Sequence, residues 1–171
     1  MRGLCSGLLL LLFTAACQRL GAPARSGTAA VTREQTRPLS PDFALSTTAG
    51  APRMLHQLRG SYVLLDFRAH NCAACRAENA NLRKVYGQFH SRGLEVVSVF
   101  LDDNPAGSVA ADSLEWPVVS AAQGLDGTIA RAYGVQQVPL TVLLDPQGHE
   151  LARDLRGRAL GQKIAEFIPL D

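Results

Sequence analysis

The residues best suited to chemistry are two cysteines three apart, in the run Cys72-Ala73-Ala74-Cys75. A cysteine reacts as its thiolate, which forms where the surroundings lower the thiol pKa. The pair follows a strand-like run and a short loop, and it opens a segment of helical periodicity. Unpaired N–H groups and the helix dipole at such a start stabilise a thiolate, which makes Cys72 the candidate nucleophile. Cys75, one turn further in, shares a helix face with Cys72 and can close a disulfide with it. The same spacing also serves half of a four-ligand zinc site. No second pair is present, however, and His56, His70, His90 and His149 are not spaced as a ligand pair. Two chemistries of different class remain: disulfide exchange at the pair, or redox-silent binding of Cu(I) by Cys72, Cys75 and His70.

The elements that must position this pair are legible on either side of it. Tyr62-Val63-Leu64-Leu65-Asp66-Phe67 is an almost continuous apolar run, as expected of a strand covered on both faces. From residue 72 to about 91, Ala73, Ala77, Ala80, Val85 and Phe89, with Leu82 and Tyr86 beside them, mark the apolar face of a helix that Gly93 stops. A second buried strand is predicted over residues 94–101, after which Asp102-Asp103-Asn104-Pro105 caps a short helix. Strand, helix, strand implies a right-handed parallel crossover. Downstream, Trp116-Pro117-Val118-Val119 reads as a brief edge strand and residues 128–133 as a helical turn ending at Gly134. Leu140-Thr141-Val142-Leu143-Leu144 reads as a third core strand, joined through Asp145-Pro146-Gln147-Gly148 to a hairpin partner at 150–153. A last helix over about 159–168 buries Leu160, Ile164 and Phe167 or Ile168.

The whole chain has 171 residues, 47% hydrophobic and 19% charged, which suits one globular domain. With 17 Lys and Arg against 15 Asp and Glu there is no electrostatic case for a nucleic-acid partner. Cys5 and Cys17 lie in the apolar N-terminal stretch, and two body cysteines cannot staple a scaffold, so the fold rests on its core. At the N-terminus, Arg2 precedes a wholly apolar run over residues 8–13 and the small residues Thr14-Ala15-Ala16, the layout of a signal peptide. Gln18-Arg19 breaks the run short of the about 20 residues a membrane span requires. Phe13-Thr14-Ala15-Ala16-Cys17 resembles a bacterial lipobox, which makes Cys17 the lipidated first mature residue; a rival cut after Ala22-Pro23-Ala24 gives a soluble exported protein instead. The expected organisation is a lipoprotein signal peptide at 1–16, a flexible tether at 17–38 and a domain at 39–171.

The stretch from Tyr62 through Cys72 and Cys75 to Asn79 resembles the active-site strand, loop and helix of thioredoxin-fold proteins, specifically the TlpA/ResA-like exported thiol-disulfide oxidoreductases. Pro41-Asp42-Phe43-Ala44-Leu45 with Leu58-Arg59-Gly60 is similar to the family's opening hairpin, and Tyr133-Gly134-Val135 through Val138-Pro139-Leu140-Thr141 to its cis-proline segment. The resemblance implies an α/β thioredoxin-like fold: a central mixed sheet with helices on both faces. It implies Cys72 as attacking and Cys75 as resolving thiol, joined in a redox disulfide, with Val138 and Pro139 presenting backbone to the substrate. It further implies Asp66 as a buried acid accepting the Cys75 proton; read from the residues alone, it is a helix-facing or hydrated strand Asp. Glu78 would be an active-site glutamate, or else a solvated first-turn acid. The implied activity is reduction of disulfides in exported proteins, supplied with electrons by a membrane thiol protein, without a cofactor or metal and as a monomer. The place is the periplasmic side of a bacterial membrane. This sequence departs from the family in Arg68 and Asn71, where tryptophans are usual, and in Ala73-Ala74 for Gly-Pro. Arg68 and His70 read as loop residues, either adding positive potential at Cys72 or simply solvated. The opening-hairpin residues also occur in the peroxiredoxins, so peroxide reduction is a competing activity, although His70-Asn71 stand where that family's hydroxyl and proline precede the cysteine.

Overall fold

In the computed structural model, the residues described are 37–45, 53–102 and 114–170. All of them belong to one unit, Arg33–Asp171. The signal, lipobox and tether expectations, and the short helix after Asp102, lie outside the described residues.

The apolar run forms strand β3 (Tyr62–Arg68), which pairs in parallel with β4 (Leu94–Phe100) from Tyr62↔Leu94 to Arg68↔Phe100. Helix α1 (Ala73–Phe89) makes the crossover between them, and a 3-10 turn (His90–Arg92) leads to Gly93 at φ 96°, a left-handed conformation that favours glycine. On the far side of β3, β6 (Leu140–Leu144) pairs antiparallel with it and then turns through residues 145–148 into β7 (Glu150–Arg153). The short strand β5 (Val118–Ser120) pairs in parallel with β4, giving a mixed sheet of order β5-β4-β3-β6-β7. A separate two-stranded hairpin, β1 (Ala44–Leu45) with β2 (Arg53–Met54), precedes it. Helix α2 (Thr128–Ala132) and helix α3 (Gly157–Ala165) complete the described elements.

Strand alternation sorts the core into two layers. Val63, Leu65 and Phe67 of β3 and Val97 and Val99 of β4 pack with Phe43, Leu45, Leu55, Ala130 and Tyr133 on one side of the sheet. Leu64 and Val96 pack with Leu82, Val85 and Phe89 of α1 and with Leu160, Ile164 and Ile168 on the other. The sheet thus carries apolar layers on both faces, which is why β3 needs no polar alternation.

Three expectations change. The buried face of α1 runs through Cys75, Asn79, Leu82, Val85 and Phe89, while Ala73, Ala77 and Ala80 are exposed. Small alanines satisfied the apolar count, but the wide face that meets the sheet starts at Cys75 and carries the larger side chains. Arg68 is not a solvated loop residue: it ends β3 and is fully buried. The last helix also starts two residues earlier than expected, and of the two C-terminal candidates Ile168 is the buried one.

Candidate active site

Cys72 is the N-cap of α1 in extended conformation, and its Sγ accepts the backbone N–H of Cys75 at 3.0 Å. The strand-to-helix junction therefore aims a free helical N–H at the first sulfur, as the local sequence predicts. Cys72 and Cys75 are joined in a disulfide with Cα atoms 5.2 Å apart. The two sulfurs are unequal in access: Cys72 is 9% exposed and Cys75 1%.

The loop into Cys72 is held at His70 through both backbone groups of that residue. The His70 N–H donates to the Asp102 carboxylate just past β4, and Arg76 Nη1 donates to the His70 carbonyl at 3.1 Å. Val138-Pro139 is a cis peptide, as the resemblance implies. Pro139 enters β6 where Leu140 pairs with Phe67, so the proline loop and the Cys72 loop emerge at the same end of the sheet.

Beneath α1 lies a polar network inside the apolar layer. Asp66 and Arg68, two apart on β3, point to the α1 side, and Arg68 Nη1 donates to Asp66 Oδ2 at 3.1 Å. Arg68 Nη2 donates to Asn79 Oδ1 at 2.9 Å, one turn along α1 from Cys75. Ser98 Oγ donates to Asp66 Oδ2 and accepts the Trp116 indole N–H, both at 2.9 Å. The guanidinium also stands 5.2 Å from the centroid of the Phe100 ring. A guanidinium buried this completely is tolerated because a carboxylate and an amide oxygen accept from its two Nη nitrogens and an aromatic face lies against it, although among the described residues its Nε finds no acceptor. Asp66 is thus a buried acid facing α1, held as the counter-ion of Arg68.

Glu78 is neither free in solvent nor turned wholly to the cysteines. Its Oε2 accepts the Gly157 N–H at 2.9 Å and the Asn81 amide at 3.0 Å. It supplies from α1 the cap that Arg156, the N-cap residue of α3, does not provide with its own side chain, and its charge suits that helix N-terminus. Arg156 Nη2 donates to the Pro139 carbonyl at 2.8 Å and to Asp154 at 2.9 Å. The start of α3 therefore grips the disulfide helix through Glu78 and the cis-proline loop through Arg156. On the opposite layer, Tyr133 packs 5.1 Å from the Phe67 ring and donates its hydroxyl to the Pro41 carbonyl at 2.6 Å; burial pushes its phenol pKa far up, so it stays a neutral donor.

Sequence reasoning missed Arg68, Asn79, Ser98, Trp116 and the Arg156-Gly157 junction. Alternation along β3 was the available signal for the first, since Asp66 and Arg68 at i and i+2 must share a face. No group of metal-binding side chains is assembled among the described residues.

The family model described as AhpC/TSA matches residues 39–149. The thiol-disulfide oxidoreductase ResA of Halalkalibacterium halodurans is 28% identical over 132 residues, covering 75% of this chain and 73% of the relative. The Bacillus subtilis ResA is 27% identical over 134 residues, covering 77% and 73%. Among solved structures, a thiol-disulfide oxidoreductase from Bacteroides fragilis aligns with TM-score 0.70 at 29% identity over 76% of this chain and 99% of the other. The thioredoxin domain of a Bacteroides vulgatus thiol-disulfide oxidoreductase aligns with TM-score 0.70 at 26% identity, covering 77% and 96%. The fold is thioredoxin-like.

Proposed function

We propose, from the premise that this chain belongs to the AhpC/TSA family, that its thiol-disulfide oxidoreductase chemistry runs toward reduction of disulfides in exported proteins. The chain is an oxidoreductase of that class; the direction, the residue roles and the location are our reading. The observation that carries it is the asymmetry of the pair, with Cys72 the more exposed sulfur and the one receiving a helical N–H, while Cys75 is sealed beneath it.

In the reduced protein, the Cys72 thiolate, favoured by that N–H and by the helix dipole, attacks one sulfur of the substrate disulfide. A mixed disulfide forms and the other substrate sulfur leaves as a thiolate. Cys75 then loses its proton and attacks Cys72 Sγ, releasing the second substrate thiolate and closing the Cys72–Cys75 disulfide. Two electrons pass to the substrate, and a dithiol on a membrane protein restores them. Asp66 is our candidate acceptor of the Cys75 proton, acting from a carboxylate that Arg68 and Ser98 hold in place. Glu78 supports the site by fixing α1 to α3, and Val138 and Pro139 offer backbone to the substrate chain.

Export rests on the N-terminal pattern: a signal peptide at 1–16, a lipid on Cys17 and a domain on the periplasmic side of a bacterial membrane. Among the described residues no helix is long and apolar enough to cross a membrane. The test of the activity is insulin reduction with dithiothreitol as donor. Cys72→Ser abolishes turnover on this reading, and full activity in that variant overturns it.

A further inference from the structure

We propose that Arg76 and Arg156 form a rim that reads negative charge, so the protein partner carries acidic side chains beside the cysteine that Cys72 attacks. This deepens the oxidoreductase reading and rests on it. The two loops that leave the sheet at the disulfide's end, and that would serve as walls for a docked substrate, are the loop ending at Cys72 and the loop of Pro139. Each has a guanidinium docked on its backbone: Arg76 on the His70 carbonyl and Arg156 on the Pro139 carbonyl. Both side chains are exposed.

Each arginine uses only one nitrogen for these contacts. Arg76 donates through Nη1, and Arg156 meets both Pro139 and Asp154 through Nη2. Among the described residues, Nε and Nη2 of Arg76 hold no hydrogen bond and make one free side-on fork, while Arg156 keeps Nε and Nη1, which lie on opposite edges of its guanidinium, as single donors. The planar fork of Arg76 matches a carboxylate, and Arg156 offers one donor at a time. One of the acids nearby offsets part of this charge. Glu78 is committed to Gly157 and Asn81, whereas Asp154 makes a solvent-exposed ion pair with Arg156 at 2.9 Å, which is weak in water and which a substrate carboxylate competes with. A substrate laid between the walls to bring a sulfur to Cys72 passes both cations, and its acidic side chains then gain attraction in the encounter and in the mixed disulfide.

The size of the effect follows from solvent-exposed pairs. At about 0.5–1 kcal/mol each, one pair changes kcat/KM by about 2- to 5-fold and two by about 5- to 30-fold at low salt. The experiment uses the full-length protein with dithiothreitol as donor and three otherwise identical disulfide-linked peptides, whose cysteines are flanked by Glu, Gln or Lys. We expect kcat/KM to fall in the order Glu, Gln, Lys, with Glu above Lys by that combined factor. The spread should collapse at about 0.5 M salt, where screening acts within a few ångströms. Arg76→Gln and Arg156→Gln each remove about 2- to 5-fold of the preference and the double variant removes it. Arg156→Lys keeps the preference, because the charge stays, whereas a purely structural role for the Pro139 contact would not be rescued. Arg53→Gln on the β1–β2 hairpin takes away the same charge and leaves the preference unchanged. Equal rates on the Glu and Lys peptides, with the Gln peptide still turned over, overturn this inference alone. A Glu preference that survives in the double variant also overturns it. Failure to reduce any peptide brings down the oxidoreductase reading and this inference together.

Discussion

Replacing Arg68 by methionine removes the guanidinium and keeps most of the hydrophobic volume. Three groups are left facing a space without their donor: the Asp66 carboxylate, the Asn79 amide oxygen and the Phe100 ring. Asp66 retains the Ser98 hydroxyl but loses its counter-ion in a layer where it is 2% exposed. Breaking a buried pair by deleting one partner costs about 3–5 kcal/mol, against about 0–1 kcal/mol for a surface pair. With a urea m-value of about 2 kcal/mol/M, the unfolding midpoint falls by about 1.5–2.5 M. The assay is equilibrium urea unfolding of the oxidised protein followed by far-UV dichroism and Trp116 fluorescence. Adding Asp66→Leu to Arg68→Met removes the orphaned carboxylate, so the double variant is less destabilised than the sum of the singles, and the cycle reports the coupling. A loss below about 1 kcal/mol for Arg68→Met, with m unchanged, refutes the claim that a buried ion pair supports the active-site helix.

The other expectations are compact. Asp66→Asn slows insulin reduction by about 10- to 100-fold, and Glu78→Gln costs less; a larger loss for Glu78→Gln in the same assay at neutral pH reverses the two roles. Glu78→Ala leaves the Gly157 N–H without its carboxylate and lowers stability by about 1 kcal/mol, read by urea unfolding. Gly157→Ala costs about 1–2 kcal/mol through its φ of 55° alone, because an added Cβ meets only Asn81 at an ordinary 3.9 Å; an unchanged midpoint contradicts this. Mass spectrometry of the protein from membranes finds a lipidated Cys17 as first residue, and an unmodified chain starting at Arg25 excludes the lipid anchor.

The parts legible in the sequence are those in which one physical signal dominates. β3, β4 and β6 are apolar runs with no competing period, and Gly93, Gly134 and Gly148 stand at left-handed turns where expected. The cysteine pair was legible because helix-start chemistry and position agree, and Pro139 because the residues around it resemble a known segment. The helix face was read with three wrong members because Ala73, Ala77 and Ala80 count as apolar while burying little surface. Arg68 was misread because charge usually means solvent; its burial depends on Asn79, eleven residues away, and on Phe100 of the neighbouring strand. The bonds from Glu78 to Gly157 and from Arg156 to Pro139 join residues 79 and 17 apart, and no local pattern announces such pairs.

The central claim is that Cys72 attacks and Cys75 resolves, and trapping tests it most directly. Cys75→Ser and Cys72→Ser variants are each incubated in reduced form with a disulfide-containing protein and quenched by acid alkylation. The products are then separated without reductant, and the linked cysteine is identified by mass spectrometry. The account predicts a mixed disulfide through Cys72 that accumulates in Cys75→Ser and no adduct in Cys72→Ser. An adduct through Cys75 in Cys72→Ser, with none through Cys72 in its counterpart, contradicts it.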